Sequence, residues 1–373
     1  MTNVDKLAVQ IISRASRERP ADGLLREELK AAKLPRTQSR AVAELVFTWF
    51  RWCAFVDQEA SLDKQLREAS ALAGRFASEP DTFSTDELRK AVPEWIAGEV
   101  ELTREWLVAL QTPPVLWLRA KRGQQREVVR EIGNCTHGEG PLADALEYHG
   151  NRDLFREPAF QAGAFEVQDI ASQIVGLLCD PKPGSTWWDA CAGEGGKTLH
   201  LSDLMENKGM IWASDRSEPR LIRLKQRTAR AKVFNYRAAR WDGSAKLPTK
   251  TKFDGVLIDG PCSGVGTWPR NPHARWTVTL QDVQELAAIQ QRLILNAAAA
   301  VKPGGKLIYA VCTLTRSETD AVADLCSPLL SGFAPCLLPA WPNVPPAASA
   351  RTRIWPQTFR GNGMFVTAWE RIS

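Results

Sequence analysis

The second half of the chain alternates apolar strand-like segments with helical ones, and this alternation constrains the fold more than any other feature. The predicted strands are Thr186–Ala190, Met210–Ser214, Phe253–Ile258 and Lys306–Val311, and a last strand is expected at Met364–Glu370. Strands that alternate with helices pair mostly in parallel. The pattern therefore predicts an α/β fold, in which a mostly parallel sheet carries helices on both faces.

Two further parts precede this region. Residues 1–112 show helical apolar periodicity and contain no cluster of acids and bases, which predicts an all-helical accessory domain. Paired prolines follow Thr112 and favour a domain boundary there, because proline resists helix continuation. Residues 113–160 are typical of a small α+β subdomain, which leaves residues 161–373 for the α/β domain. A proline- and alanine-rich loop is expected at 338–350.

Composition excludes several classes of protein. A hydrophobic fraction of 44% and a charged fraction of 24% are ordinary for globular proteins. No apolar run reaches the roughly 18 residues of a spanning helix, and the first 19 residues lack the apolar core of a secretory signal. The eight cysteines show no CxxC spacing, so we expect neither a disulfide framework nor a metal site. These features indicate a cytoplasmic protein with reduced thiols.

The positive charge is concentrated after the helical region. Residues 1–112 carry 16 Lys and Arg against 18 Asp and Glu, whereas residues 113–373 carry 32 against 25. A mildly basic region is compatible with a polyanionic partner such as nucleic acid, although many other enzymes are equally basic.

Reactive or polar residues stand at the ends of four predicted strands: Asp189, Asp215, Asp259 and Cys312. In an open α/β sheet, ligands bind at this edge. The first strand leads into a loop with three glycines, Gly193, Gly195 and Gly196, whose backbone can approach a ligand closely. Asp215 stands where a carboxylate can hold both hydroxyls of a ribose. The loop lacks the GxGxxG spacing, which favours S-adenosylmethionine over a nicotinamide cofactor; a purely structural turn is the third interpretation.

Two cysteines and an aspartate are expected at the same edge. Cys262 lies in the glycine-rich loop that follows Asp259, and Cys312 ends the next strand. This combination suits the addition of a thiolate to an electron-poor ring. The alternative, that each cysteine is inert core, is the usual fate of a buried thiol.

At these positions the sequence resembles the RNA (cytosine-5)-methyltransferase family of the bacterial Fmu/RsmB and eukaryotic Nop/Sun type. The resemblance covers about 260 residues and rests on these segments: Pro114–Arg119, Phe160–Gly163, Val167–Ser172, Asp189–Thr198, Asp259–Gly264, Val311–Leu314 and Gly361–Phe365. It implies a Rossmann-like class I methyltransferase core, preceded by a small RRM-like subdomain and a helical domain similar to the antitermination-factor (NusB-type) domain of some bacterial members.

The resemblance also implies a mechanism and a set of site residues. Cys312 would add to C6 of cytosine, Cys262 would help to release the product, and Asp259, protonated or hydrogen-bonded, would stabilise N3. In the cofactor site, Asp215 would hold the ribose and Asp242 the adenine amino group. The complete set expected to bind S-adenosylmethionine is Cys191, Ala192, Gly193, Glu194, Gly195, Gly196, Lys197, Asp215, Asp242 and Asp259.

The chain departs from the family pattern at two places. Gly193-Glu194 stands where the family usually has Ala-Pro, and Glu318-Thr-Asp320 stands where it usually has Glu-Asn-Glu. The first difference bears on the contact with the methionine end of the cofactor. Neither change removes a residue with a direct chemical role, so we expect an active enzyme.

The resemblance implies RNA as the partner, and single-stranded or flipped RNA is favoured because a cytosine must leave its stack to meet a thiolate. The predicted RNA contacts flank the Cys262 loop: Trp268, Arg270, Arg275 and Trp276. We expect a monomer that methylates ribosomal RNA of the 16S type. The alternatives are a tRNA methyltransferase, an assembly factor that binds RNA with weakened catalysis, and a methyltransferase of DNA or protein, which the two cysteines disfavour.

Overall fold

A computed structural model describes residues 2–339 and 349–373, so most of the proline- and alanine-rich stretch 338–350 lies outside the described residues. The chain divides into two compact units. One contains Met1–Pro114 together with Gly264–Val283, and the other contains Val115–Ser263 together with Gln284–Ser373. The segment after the Cys262 loop therefore belongs with the N-terminal helices, which the domain boundaries expected from the sequence did not anticipate.

The first unit is built from helices around an apolar core. They are α1 (Asn3–Arg14), α2 (Ala21–Ala32), α3 (Arg36–Trp52), α4 (Leu62–Ser78), α5 (Thr85–Leu88) and α6 (Arg104–Gln111). Ile11, Leu24 and Val46 lie in the core where α1, α2 and α3 pack together. Helix α6 begins after Thr103, whose side chain accepts a hydrogen bond from Trp106 N and so caps the helix.

The second unit starts with a small antiparallel sheet. Its elements are β1 (Leu116–Ala120), α7 (Gln125–Ile132), β2 (Cys135–His137), β3 (Ala145–Tyr148), α8 (Pro158–Gln161) and β4 (Phe165–Val167). The strand order is β2-β3-β1-β4. Because β4 pairs with β1, with Val167 opposite Leu118, this subdomain extends past the boundary expected at residue 160.

The rest of the unit forms a larger mixed sheet with helices. The strands are β5 (Thr186–Asp189), β6 (Met210–Asp215), β7 (Tyr236–Arg240), β8 (Phe253–Asp259), β9 (Val301–Val311), β10 (Phe333–Pro335), β11 (Arg351–Ile354) and β12 (Met364–Arg371). The helices are α9 (Ile170–Cys179), α10 (Gly196–Leu204), α11 (Glu218–Arg230), α12 (Leu280–Ala298), α13 (Asp320–Cys326) and α14 (Pro356–Phe359).

The strand order of the large sheet places a ligand crevice beside β5. The order is β10-β12-β9-β8-β5-β6-β7, with β11 on β12. Strands β5 to β9 run parallel to their neighbours, whereas β12 runs antiparallel to β9. The chain leaves β5 toward β6 and β7 and returns on the other side at β8. Ligands bind at such a switch point, at the carboxyl ends of the strands.

Helices cover both faces of this sheet. Trp187 of β5 packs with α9 and α10 on one face, and Trp188 packs with α12 on the other. Burial on both faces explains why β8 reads as a continuous apolar run rather than an alternating one. The predicted α/β architecture with helices on both faces is confirmed. None of the described helices is long and apolar enough to span a membrane.

Two of the sequence segments that carry the family resemblance meet behind the sheet edge. Asp169, at the start of α9, accepts the backbone N–H of Asn362 at 3.1 Å. A side chain on Gly361 would lie 2.5 Å from Cγ2 of Ile170, so only glycine fits there. The contact fixes the start of β12 against α9.

Candidate active site at the carboxyl edge of the large sheet

The four strand-end residues expected to define the site stand at one edge of the sheet. Asp189, Asp215 and Asp259 end the parallel strands β5, β6 and β8, and Cys312 directly follows β9. Asp189 is fully buried and accepts a hydrogen bond from Thr198 Oγ1 at 2.6 Å. Burial raises the pKa of Asp189 from 3.8 to about 7. A carboxyl in this position is therefore easily protonated.

The glycine loop exposes its backbone to the crevice. Gly193 and Gly195 have φ of +55° and +86°, in the left-handed region that favours glycine. A side chain on Gly195 would lie 2.8 Å from Leu224 Cγ, whereas the space beside Gly193 and Gly196 is open. Gly196 begins α10, whose first N–H groups have no intrahelical acceptor. The loop thus offers bare backbone and a helix N-terminus to a ligand.

Other loop residues contribute less chemistry. Cys191 is half-buried, and burial raises the pKa of its thiol, so it stays uncharged. Ala192 is buried, and its N–H donates to Ser214 O at 2.8 Å, which joins the loop to β6. Both residues shape the loop rather than react.

Asp215 is the best placed acid for a ribose. It is 6% exposed, and its two carboxylate oxygens accept N–H groups from Gly193 at 3.0 Å and Ser217 at 2.8 Å. Each oxygen keeps a lone pair for a further donor. Asp242 follows β7 and is exposed, and hydrogen bonds from Ser244 lower the pKa of its carboxyl. Bare backbone and these carboxylates fit an adenosine-containing ligand such as S-adenosylmethionine.

Glu194 turns toward α11. Its carboxylate forms an ion pair with Arg223, and its carbonyl accepts Arg227 Nη1 at 3.2 Å. Both the side chain and the carbonyl of this residue are thus engaged by α11. Where the family usually has Ala-Pro, this chain has a glutamate, and the carboxylate of Glu194 is neutralised by its ion pair with Arg223.

Lys197 and Asp259 form an ion pair in the crevice. Lys197 Nζ lies 2.6 Å from Asp259 Oδ2, and the lysine side chain is 8% exposed. Burial lowers the pKa of Lys197, but the Asp259 carboxylate more than offsets this, and the pKa is raised overall. Asp259 was expected to be protonated or hydrogen-bonded, and in the structure it accepts a hydrogen bond from Lys197. From the sequence, Lys197 was expected only to contribute to the cofactor loop. In the structure its ammonium also pairs with Asp259.

The two cysteines meet as expected from their strand-end positions. Cys262 Sγ and Cys312 Sγ are 3.3 Å apart, and both side chains are partly exposed. Lys197 also interacts electrostatically with Cys312, and a nearby ammonium favours a thiolate. Two thiols and an ion pair therefore share one partly open edge of the sheet.

Two buried polar residues near the cysteines were missed as functional by sequence reasoning. Glu318 was noted only as part of a family departure, and Gln290 lies within the largely apolar helix α12. Both are fully buried. A buried glutamine or glutamate must be hydrogen-bonded, because an unpaired buried polar group destabilises the fold. The local sequence does not show which residue is its partner.

The expected RNA contacts are only partly on the surface. Trp268 and Arg275 are 0% exposed, and Trp268 stacks on Trp106 inside the helical unit. The guanidinium of Arg275 donates to carbonyl and amide oxygens of Ala91 at 3.1 Å, Leu110 at 2.7 Å and Gln111 at 2.9 Å. Buried side chains cannot contact RNA, so the prediction is wrong for these two residues, which instead bind the 264–283 segment to the helices.

The other two residues keep some exposed surface. Trp276 is half-buried, and its indole N–H donates to Phe50 O at 2.8 Å, whereas Arg270 is exposed. Arg270 is therefore the member of the predicted set that is most accessible to RNA.

Across the described ranges 2–339 and 349–373, no group of three or more His, Cys, Asp or Glu side chains could hold a metal ion.

The strand order, the antiparallel β12 and the glycine loop at the switch point together define a class I methyltransferase fold. The crystal structure of PH0851 has this fold, with a TM-score of 0.81 and 22% identity over 99% of both chains. NSun6 from Pyrococcus horikoshii, solved with SFG, has a TM-score of 0.64 and 19% identity over 72% of this chain and 94% of its own.

The sequence comparisons then identify the family within that class. A profile described as 16S rRNA methyltransferase RsmB/F matches residues 176–370, which is more than half of the chain, and the chain belongs to this family. It is 34% identical to a probable ribosomal RNA small subunit methyltransferase B from Synechocystis, over 55% of this chain and 46% of that protein.

A eukaryotic relative is similar over a comparable length. The chain is 32% identical to a mouse 28S rRNA (cytosine-C(5))-methyltransferase, over 62% of this chain and 52% of the mouse protein. The chain spans about half the length of the curated relatives it matches.

Proposed function

We propose that this protein transfers a methyl group from S-adenosylmethionine to C5 of a cytosine in small-subunit ribosomal RNA. One observation carries the proposal: Cys262 and Cys312 place their sulfurs 3.3 Å apart, at the sheet edge that also holds the Lys197–Asp259 ion pair. The two thiols have separate uses in cytosine chemistry, one to add to the ring and one to assist release. The two alternative interpretations of the glycine loop, a nicotinamide-cofactor site and a purely structural turn, do not require a pair of neighbouring thiols.

The cofactor would lie along the glycine loop. Asp215 would hold the ribose hydroxyls, Asp242 the adenine amino group, and the backbone around Gly193 the methionine end. The similarity in fold to NSun6, solved with the S-adenosylmethionine analogue SFG, supports this choice. When bound, S-adenosylmethionine supplies an activated methyl group, so the protein needs only to activate the base.

The cysteines and the ion pair would perform that activation. C5 of cytosine is a poor nucleophile until a thiolate adds to C6, and Cys312 would supply this thiolate. Negative charge then develops on the N3 side of the ring, where the Lys197 ammonium, positioned by Asp259, would stabilise it. After methylation, the Cys262 thiolate would take the C5 proton, the C5–C6 double bond would re-form, and the C6–S bond to Cys312 would break, which frees the RNA.

The names of the relatives favour ribosomal RNA as the substrate. The bacterial relative is named for the small subunit and the mouse relative for cytosine C5 of 28S rRNA. A tRNA substrate is the alternative, and a catalytically weakened assembly factor is disfavoured because Asp259, Cys262 and Cys312 are all present. Of the sequence-predicted RNA contacts, Arg270 is the one we retain as the strongest candidate.

The test is a methylation assay with purified protein, methyl-labelled S-adenosylmethionine and unmodified 16S rRNA. Wild-type protein should produce 5-methylcytidine, and Cys312→Ala should produce none. Cys262→Ala should instead accumulate a covalent protein–RNA complex. Label on tRNA but not rRNA would favour the tRNA alternative, and binding of S-adenosylmethionine without any RNA labelling would favour the assembly factor.

A further inference from the structure

A buried hydrogen-bond cluster lies beneath the two cysteine loops and is used by neither the cofactor nor the base in the proposed reaction. We define the Glu318 cluster as Glu318 with its polar neighbours Ser263, Gln290, Tyr309 and Thr315. Glu318, Gln290 and Tyr309 are each 0% exposed. The carboxylate and these two neighbours are therefore closed to solvent, whereas Ser263 is half-buried.

On one side the cluster holds the chain around Cys262. The Ser263 backbone N–H donates to Glu318 Oε1 at 2.8 Å, and the Ser263 hydroxyl donates to Glu318 Oε2. Gln290 Nε2 donates both to Glu318 Oε1 at 3.0 Å and to Pro261 O at 2.8 Å. The residues immediately before and after Cys262 are thus both tied to the same buried pair.

On the other side the cluster holds the chain after Cys312. Thr315 Oγ1 donates to Glu318 Oε2 at 2.8 Å. The hydroxyl of Thr313, the neighbour of Cys312, lies 2.9 Å from the Ser263 hydroxyl. A single carboxylate therefore connects two loops that are 50 residues apart in sequence and that carry the two thiols.

The rest of the cluster fixes the carboxylate itself. Tyr309 of β9 places its hydroxyl 2.7 Å from both Gln290 Oε1 and the Glu318 carbonyl, so its one proton serves either acceptor. Burial raises the pKa of Glu318, and the hydrogen bonds oppose this. Burying a carboxylate carries an energetic penalty that an apolar core would avoid, and in some proteins such groups are retained because they fix one specific arrangement of the chain.

We propose that Glu318 is a positioning residue that fixes the separation of the Cys262 and Cys312 sulfurs and thereby sets how fast the protein releases its RNA adduct. The inference rests on the proposed function. Cys262 can assist elimination of the Cys312 sulfur only while the two loops stay in register. Cys312 directly follows β9, where Val311 is anchored by its pairing with Phe365, so loss of the Glu318 contacts should slow release more than addition at Cys312.

The test compares Glu318→Gln with Val322→Ala. In the first variant a neutral amide NH₂ replaces the carboxylate oxygen that accepts from the Ser263 and Thr315 hydroxyls, so two charge-assisted hydrogen bonds become neutral ones while the volume is conserved. Val322 lies on α13 in the adjoining apolar core, so its truncation is a control for destabilisation without loss of a polar contact. Both are incubated with S-adenosylmethionine and unmodified 16S rRNA, and the adduct per folded protein is measured on denaturing gels.

We expect Glu318→Gln to raise the adduct fraction by about tenfold over wild type, since loss of a buried charge-assisted hydrogen bond is commonly worth that factor or more. Affinity for S-adenosylhomocysteine should change by less than about twofold, because none of the hydrogen bonds described for the cluster reaches the glycine loop. Val322→Ala should resemble wild type in adduct fraction.

Cys262→Ala distinguishes failure of the inference from failure of the proposed function. If Cys262→Ala accumulates adduct but Glu318→Gln does not, the inference is overturned and the proposed function stands. If Glu318→Gln and Val322→Ala raise the adduct equally, or if Glu318→Gln loses cofactor affinity in parallel, the role is structural and the inference is also overturned. If Cys262→Ala forms no adduct and wild type forms no 5-methylcytidine, both proposals are overturned.

Discussion

Substitution of Asp189 by Asn should change the pH dependence of folding in a calculable way. Asp189 is fully buried at the end of β5; Thr198 donates to Oδ2, and Oδ1 has no hydrogen-bond partner among the described residues. Burial raises its pKa from 3.8 to about 7. A group whose pKa is raised by folding stabilises the folded state below its unfolded pKa, and this contribution is lost as the pH rises through the folded pKa.

The magnitude follows from the linkage relation. Between about pH 4 and pH 7 the folded state holds a proton on Asp189 that the unfolded chain has released, so the free energy of unfolding should fall by about 1.4 kcal/mol per pH unit. From pH 5 to pH 8 the loss from this one group is about 2 to 3 kcal/mol. In Asp189→Asn the amide oxygen can still accept from Thr198, but the titration is absent.

His200 on α10 acts in the opposite direction. It is 5% exposed, and burial, followed by the nearby cations of Arg119 and Lys197, lowers its pKa well below 6.5. A group with a lowered folded pKa contributes stability above its unfolded pKa and loses it as the pH falls. Below about pH 6.5 the two residues therefore offset each other in wild type, and Asp189→Asn should reveal a loss of stability on acidification.

Urea unfolding followed by circular dichroism, at several values between about pH 5 and pH 8, measures these slopes for wild type and variants. The difference between wild type and Asp189→Asn should shift by about 2 to 3 kcal/mol across this range, in favour of wild type at low pH. His200→Phe should show the opposite slope. A difference that stays constant with pH would refute the assignment of a protonated, buried Asp189.

Three further outcomes are expected. Asp215→Asn should weaken S-adenosylhomocysteine binding by about 10- to 100-fold in calorimetry, because an amide has one acceptor oxygen where the carboxylate serves two N–H groups and a ribose; unchanged affinity would remove Asp215 from the site. Arg275→Met should destabilise the helical unit by about 3 kcal/mol in urea unfolding, because three buried oxygens lose their donor; equal stability would contradict this. Glu194→Ala should change the same calorimetric affinity by less than about threefold, because its exposed pair with Arg223 is weak and its side chain is turned to α11; a tenfold loss would show a direct contact.

Much of the candidate site could be predicted because its signals are local in sequence. Asp189, Asp215, Asp259 and Cys312 each follow an apolar run, and parallel strands must present their carboxyl ends at the same edge. The glycines of the loop likewise predict a backbone conformation that other residues rarely adopt, and Gly193 and Gly195 do have positive φ. The hydrophobic periodicity and the glycine turn were therefore sufficient to predict the strand-end residues and the loop.

The RNA-contact prediction failed for a physical reason. Trp268 and Arg275 lie close in sequence to Cys262 and have the residue types that bind nucleic acid, but those same types fill cores and satisfy buried carbonyls. Whether an arginine meets a phosphate or the carbonyl of Leu110 depends on where a distant helix packs. Nothing within the 264–283 segment itself shows whether Arg275 contacts a phosphate or a carbonyl of the protein.

The sequence by itself determined the parallel α/β core, the edge at which ligands bind and the identity of the two thiols, because each depends on residue type and on spacing along one strand–loop–helix unit. Only the tertiary structure decided that Lys197 pairs with Asp259, that Glu194 pairs with α11, and that Glu318 joins the two cysteine loops. These contacts link side chains that are tens of residues apart. Their partners are chosen by packing and by the need to satisfy buried polar groups, which no local pattern records.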